Sequence, residues 1–425
     1  MVRWQCFMVW VFSLTVVMNV NGQAWTRFRG PNGAGLADAA GVPSVWTEAD
    51  YNWKTKLEGV GHSQPVFWGD KIFLTSALDD GAKRLVQCIN AADGSVLWQK
   101  VFTYGSNRVH RFNSYASSTP AVDSEHVYVT FADSDSYDLY ALTHHGDQVW
   151  RYQLGKLYSN HGMALSPICV GDLVVLGKEQ GRKAPEDVGS YIVAVDSKRG
   201  EERWRSPRGN AMVSYATPSL YDDAEGRTLL ICNSTANGIT GLDVKTGQVM
   251  WSRDCFELRT VSSPVMTDEL ILGTCGSGGG GNYLVAINKG GNGVLDSDAE
   301  RYRIEQAVTY VPTPLVIDKL LFMVSDKGGI ASCFEVATGK KIWRQRIDSD
   351  LVFSGSPIGD GKRIFVVAHS GAVLVLAAEE AYRLLARNEL GESSRCTPAI
   401  SDGVMYLRTF NEAEQHTHLI SIGAK

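Results

Sequence analysis

The chain has 425 residues, a formal net charge of −5, 43 glycines and 10% aromatic residues. An isoelectric point near 6.0 and the lack of any long Lys/Arg run exclude a nucleic-acid binder and a polybasic membrane anchor. The length allows two or three ordinary domains, or one closed β architecture.

The first element is an apolar run over residues 6–20, preceded by Arg3 and followed by Asn21, Gly22 and Ala24. This pattern predicts a secretory signal peptide over residues 1–22, cleaved between residues 22 and 24. The run falls short of the ~20 residues a spanning helix needs, and no later segment qualifies, so no transmembrane segment is expected in the mature chain. Residues 23–50 are expected to form an N-terminal arm on the outside of a single domain covering residues 51–425.

Two marks then recur along that domain. One is a Gly placed four residues before a Trp: Gly94 and Trp98, Gly146 and Trp150, Gly200 and Trp204, Gly247 and Trp251, Gly339 and Trp343. Turn residues such as Asp243, Lys245 and Thr246 ahead of the Gly make each copy a hairpin, with the Gly supplying a positive φ. A Trp one strand further on can be buried against the next repeat, and burying such a ring contributes about 2 to 3 kcal/mol. The other mark is a small or polar residue beside a strand-opening Pro, as in Ser118-Thr-Pro120, Ala216-Thr-Pro218 and Gly355-Ser-Pro357. Pro is tolerated at the first residue of a strand.

Together the marks define repeats starting near residues 63, 118, 165, 216, 262, 312, 355 and 396. Each reads as four antiparallel strands. Repeats of this length are propeller blades, which predicts an all-β, eight-bladed β-propeller. In blade five Tyr302 stands near the usual Trp position, and in blade seven Leu384 or Leu385 does. The last repeat supplies only three strands. Residues 51–57 alternate correctly and carry Trp53, so they are expected to complete blade eight and close the ring. Trp53, Trp98, Trp150, Trp204, Trp251 and Trp343 are the expected blade-docking residues.

The hairpin phrase resembles the repeat of pyrroloquinoline quinone (PQQ) propellers, the superfamily of the quinoprotein alcohol dehydrogenases and of BamB-type outer-membrane assembly lipoproteins. The opening Trp25-Thr-Arg-Phe28-Arg29-Gly30-Pro31-Asn32-Gly33 is similar to the leader of bacterial PQQ-binding-like propeller proteins. For a dehydrogenase, the resemblance implies PQQ stacked between a Trp and a disulfide of adjacent cysteines, a bound calcium and an Asp base. This chain has no Cys-Cys pair, so none of those residues is carried over and no cofactor is expected. The resemblance is specific for fold and weak for activity.

Direct motifs add little chemistry. Gly276-Ser-Gly278-Gly-Gly-Gly281 has dinucleotide-fingerprint letters without a βαβ setting. Asn292, Asp296 and Asp298 lack the later Glu of an EF-hand. Neither a C-x-x-C pair nor a G-x-S-x-G elbow occurs, so no catalytic residue and no metal site is assigned. Seven scattered cysteines outside the signal read as small buried hydrophobes.

The remaining signal lies in the connections before the strand-opening prolines, which frame one mouth of a propeller's channel. His62, Arg108, His110, Asn113, Tyr115, His161, Tyr215 and Arg259 occur there, with Arg111, Tyr310 and Arg395 nearby. Arg and His donors beside Tyr rings suit an anionic or polar ligand. The expected function is a non-catalytic binding or scaffold platform for another envelope protein, in the periplasm or at the cell surface. The alternatives are a PQQ-dependent dehydrogenase with calcium in an atypical pocket, and a small-ligand sensor.

Overall fold

The computed structural model describes residues 25–424; the expected signal peptide lies outside the described residues. Eight separate antiparallel sheets follow one another along the chain, each of four strands running from the channel outward, with one extra strand on blade four. Blade one illustrates the order: Val66–Trp68, Lys71–Leu78, Lys83–Asn90 and Val96–Thr103. The two middle strands of a blade are buried on both faces, because neighbouring blades stack against them. In blade three Leu173–Lys178 and Ser190–Asp196 are buried throughout, whereas the outer Glu202–Arg208 alternates exposed and buried.

Blade eight is completed as expected. Tyr51–Glu58 pairs antiparallel with His416–Gly423, Trp53 opposite Ser421 and Leu57 opposite Thr417. The first strand of the described chain is thus fastened to the last, and no gap is left between the last blade and the first.

The Gly-to-Trp hairpins are the joints between blades. In each, the register slips by one residue next to the Trp, as where Cys88 faces Trp98 but Ile89 faces Val96. The Trp then crosses to the following blade. Indole Nε1 of Trp53 donates to Ala91 O at 3.1 Å, Trp98 to His144 O at 2.9 Å, Trp150 to Ser197 O at 2.9 Å and Trp204 to Val244 O at 2.9 Å. The ring lies flat on the next blade's glycine. At Gly247 φ is 72°, and a Cβ there would stand 2.4 Å from the Trp204 ring. Gly is required there for both backbone sign and space. Tyr302 takes the same seat on Gly339, its hydroxyl donating to Val336 O at 2.6 Å, and Trp343 reaches Glu379 O at 3.3 Å.

Trp251 is the exception. It is buried between blades four and five, but its Nε1 has no partner and its ring covers Gly241 of its own blade. The Gly-rich insert of blade five explains this. Gly293–Val294 adds a fifth, parallel strand to blade four opposite Trp251 and Ser252, and Asp298 stands where the other joints have their glycine seat.

The residue before each strand-opening Pro also has a structural job. Around the channel, a backbone N–H at that position donates to the side-chain hydroxyl of the equivalent residue in the next blade. The bonds run Gln64 to Thr119, Thr119 to Ser166, Thr217 to Ser263, Ser263 to Thr313, Thr313 to Ser356 and Ser356 to Thr397, at 2.9 to 3.1 Å. Ser and Thr are needed because the strand's own ladder leaves this N–H unpaired.

The arm departs from expectation. Only residues beyond about 37 run outward along blades seven and eight, where Arg363 donates to Ala39 O and Val42 O and Trp46 N–H donates to Asn388. Residues 25–36 pass beneath the channel. Trp25 O accepts from Phe67 of blade one, Thr26 O from Val122 of blade two, and Asn32 exchanges bonds with Leu220 of blade four. Arg29, with no exposed surface, donates to the carbonyls of Gly33, Ala34, Thr313, Pro314 and Pro357. Its backbone N–H donates to Gln64 Oε1, which is why Gln64 replaces the Ser or Thr of the other blades. Arg27 donates to Pro218 O. The arm crosses the axis because inner-strand carbonyls at that end lack ladder partners, and two arginines satisfy them.

Candidate functional site

The arm turns the channel into a blind cavity of about 340 Å³ with Phe28 in its lining. Around its mouth the structure brings together His62, His110, Asn113, His161, Tyr215 and Arg259 from the expected set, with Arg111, Tyr310 and Arg395.

Two of the expected residues lie elsewhere. Tyr115 packs between blades one and two: its hydroxyl donates to Asn107 O at 2.8 Å, and the Arg84 guanidinium covers its ring at 4.7 Å. It is a packing residue, because Gly81 leaves room for the ring against blade one. Arg108 is exposed and lines a neighbouring cleft of about 480 Å³ with Arg182, Lys183 and Asp133. His161 and Arg259 belong to both cavities and form the wall between them.

Local structure fixes these side chains. Asn113 Nδ2 donates to His161 O at 2.7 Å and ties the connections of blades two and three together. Tyr215 shares a 3.0 Å hydrogen bond with Ser159. His110 and His161 stack with ring centroids 5.2 Å apart. His62 sits against Phe410 at 4.9 Å.

The mouth is cationic, and its histidines are neutral near pH 7. His161 is pushed down to about 4 by burial, then by Arg259, His110 and Arg108. Burial and Arg395 also hold His62 well below its ordinary value and, just behind the lining where it bonds Ser354 at 2.7 Å and meets the Phe112 ring, His369 at about 4. Charge at the mouth therefore comes from Arg111, Arg259, Arg395 and Lys327 against one lining carboxylate, Asp326. Burial raises Asp326 to about 6, although it accepts the N–H groups of Tyr310 and Val311 at 2.7 Å.

The mouth arginines are poorly partnered. Arg259 has only long contacts, 3.5 Å to His161 Nε2 and 3.4 Å to the Tyr310 hydroxyl, and its buried Nε has no partner. Arg395 reaches Arg111 O and Glu412 at 3.3 Å, and its Nε is likewise unpaired. Buried guanidinium N–H groups without acceptors suit a carboxylate or phosphate, and Phe112, 5.3 Å below Arg395, offers a ring face beside them.

Sequence reasoning missed Phe28, Phe112, Asp326, Lys327 and Ser354. Asp326 and Lys327 follow the second strand of blade six, and Gly278 holds the same place in blade five. The turns between second and third strands thus line the mouth together with the connections before the prolines. A polar residue just after a blade's second strand was the available signal.

The PQQ cradle implied by the resemblance does not fit this lining, which contains neither a Trp nor a cysteine; all seven described cysteines are free. One carboxylate already bonded to two N–H groups is also a poor start for calcium, which takes six to eight oxygen ligands.

Fold and channel define a PQQ-type eight-bladed propeller. A family model described as outer membrane protein assembly factor BamB matches residues 38–214, 186–381 and 327–422, and the chain belongs to that family. It is 21% identical over 387 residues to the BamB of Burkholderia pseudomallei, covering 88% of this chain and 90% of that one. To the BamB of Yersinia pestis it is 21% identical over 377 residues, covering 87% and 77%. Among solved structures it is similar to BamB from Moraxella catarrhalis, with TM-score 0.60, 17% identity and coverage of 87% and 98%. It is also similar to a europium-containing methanol dehydrogenase, with TM-score 0.63, 12% identity and coverage of 91% and 89%. Both structural likenesses concern the fold.

Proposed function

We propose that this protein is an exported binding platform that serves protein assembly in the bacterial envelope, and that its channel mouth receives an acidic group of the partner. The observation carrying this reading is the match to BamB proteins around the whole ring, joined to a blind mouth in which the buried Nε of Arg259 and of Arg395 has no acceptor. A rigid closed ring suits a platform, since binding then costs little ordering entropy.

The test is fractionation and cross-linking in the producing bacterium, with wild type and an Arg259→Ala/Arg395→Ala variant side by side. The expected result is an envelope-localised protein with a defined cross-linked partner that is lost or weakened in the variant. A cytoplasmic protein, or a cross-linking pattern identical in both, overturns the reading.

A second reading is favoured by the enclosure of the cavity: a small organic anion bound at the same arginines, with the propeller as sensor or carrier. Melting curves with di- and tricarboxylates, phosphate esters, and PQQ plus calcium separate the two, because a bound small anion raises the melting temperature without any partner.

A further inference from the structure

Away from the channel, three side chains of blade eight converge without any sequence motif. His416 and His418 alternate along His416–Gly423 and so share one face of the sheet. Glu392 lies in the connection from blade seven to blade eight, held against the sheet by the bond from Phe410 N–H to Ser393 O at 2.9 Å. A donor atom from each of the three lies within 4.8 Å of the others. His418 Nδ1 is 2.7 Å from Glu392 Oε2, and His416 Nε2 is 3.6 Å from Glu392 Oε1.

His416 is the informative member. It is only 4% exposed, yet neither ring nitrogen makes a hydrogen bond. A buried imidazole left unpaired is costly, and each such case calls for a cause. Glu414 Oε2 lies 3.3 Å from its Nδ1, the placement of a carboxylate that orients a ligating histidine, which leaves Nε2 facing Glu392. Glu392 is itself positioned by Thr409, whose hydroxyl donates to Oε2.

We propose that Glu392, His416 and His418 bind one Zn²⁺ ion. Two imidazoles and a carboxylate match zinc, which accepts nitrogen and oxygen donors in a small tetrahedral shell and takes water at a fourth position. Calcium and magnesium prefer oxygen alone. The ion would tie the last inter-blade connection to the sheet that closes the ring, since His416 and His418 face Glu58 and Lys56 of the closing strand.

The test uses the full-length chain stripped with a chelator and titrated with Zn²⁺ by calorimetry and with Co²⁺ by absorption. One equivalent of Zn²⁺, tetrahedral ligand-field bands of Co²⁺ and a melting temperature raised by Zn²⁺ are expected. His418→Ala and Glu392→Gln are expected to weaken binding at least ~100-fold, and Glu414→Gln about tenfold. Glu392→Gln preserves shape and keeps the test valid should His418→Ala fail to fold. A wild type without saturable metal binding overturns the proposal. So does binding unchanged by Glu392→Gln, which would place the ion elsewhere, such as among the mouth histidines.

Discussion

The two ends of the channel use the same residue in opposite ways. At the closed end Arg29 is completely buried and spends its guanidinium on five backbone carbonyls, with no carboxylate involved. At the open end Arg259 and Arg395 are also largely enclosed, but Arg259 meets only contacts of 3.4 and 3.5 Å, Arg395 has one carbonyl and Glu412 at 3.3 Å, and the Nε of each has no partner. A buried arginine is therefore not informative by itself; the count of its acceptors separates a structural clamp from a receptive site. The environment agrees: burial lowers Arg29 to about 9, a cost that only a saturated set of carbonyls can offset.

Substitutions can break this contrast. The largest effect is expected for Arg29→Met, which leaves several buried carbonyls without donors. A loss of at least ~3 kcal/mol is expected in urea unfolding, against a cost of about 1–3 kcal/mol for each orphaned buried group. A loss below about 1 kcal/mol would show that the arm does not clamp the floor.

Gln64→Thr restores the hydroxyl found in the other blades but removes the acceptor for Arg29 N–H. A loss of about 1–2 kcal/mol is expected by the same measurement. If the variant is as stable as wild type, the ring of Ser and Thr hydroxyls suffices without the arm.

Arg259→Ala with Arg395→Ala should change stability by less than about 1 kcal/mol, because few satisfied bonds are lost. Affinity for a carboxylate or phosphate probe should fall at least ~10-fold, since a hydrogen bond to a charged group contributes about 1.5–3 kcal/mol. Stability falling with affinity unaltered would make the mouth a clamp like the floor.

The smallest effect concerns pH. His161 and His369 titrate near 4 when folded, below the ordinary histidine value of about 6.5. Between pH 6.5 and 4 the unfolded chain binds protons that these folded histidines refuse, so their contribution to stability is present above 6.5 and lost as pH falls. His161→Gln with His369→Gln should flatten the stability profile over that window. Asp326, raised to about 6, acts with the opposite sign, so Asp326→Asn should steepen it. Parallel profiles for all three proteins would remove the neutral-histidine account of the mouth.

What was readable beforehand follows from what repeats. Gly247 and Trp204 show why the ring was legible: each joint needs a ring, a bare Cα and a positive φ, and this need recurs at a fixed spacing. Trp251 looked equivalent, but its role changed through an insert some forty residues later in the chain, which no local pattern encodes. The mouth was half legible for the same reason. His62, His161 and Arg259 sit beside the repeated prolines, whereas Asp326 comes from the turn after a blade's second strand, a second set of loops that reaches the mouth only once the ring has closed. Phe28 and Arg29 fall within the expected outer arm because nothing in a linear sequence shows that a segment before the first blade passes beneath the channel.

The pairing of Tyr51–Glu58 with His416–Gly423 also sets a timetable. Of these two strands Tyr51–Glu58 is made first and must wait, unpaired, until its partner emerges, and contacts this distant in sequence form slowly. Until then its unpaired backbone groups form an open edge of the kind that aggregates. The protein is therefore most vulnerable just before completion, and a factor that shields residues 51–58 during that interval would raise its yield without altering its final stability.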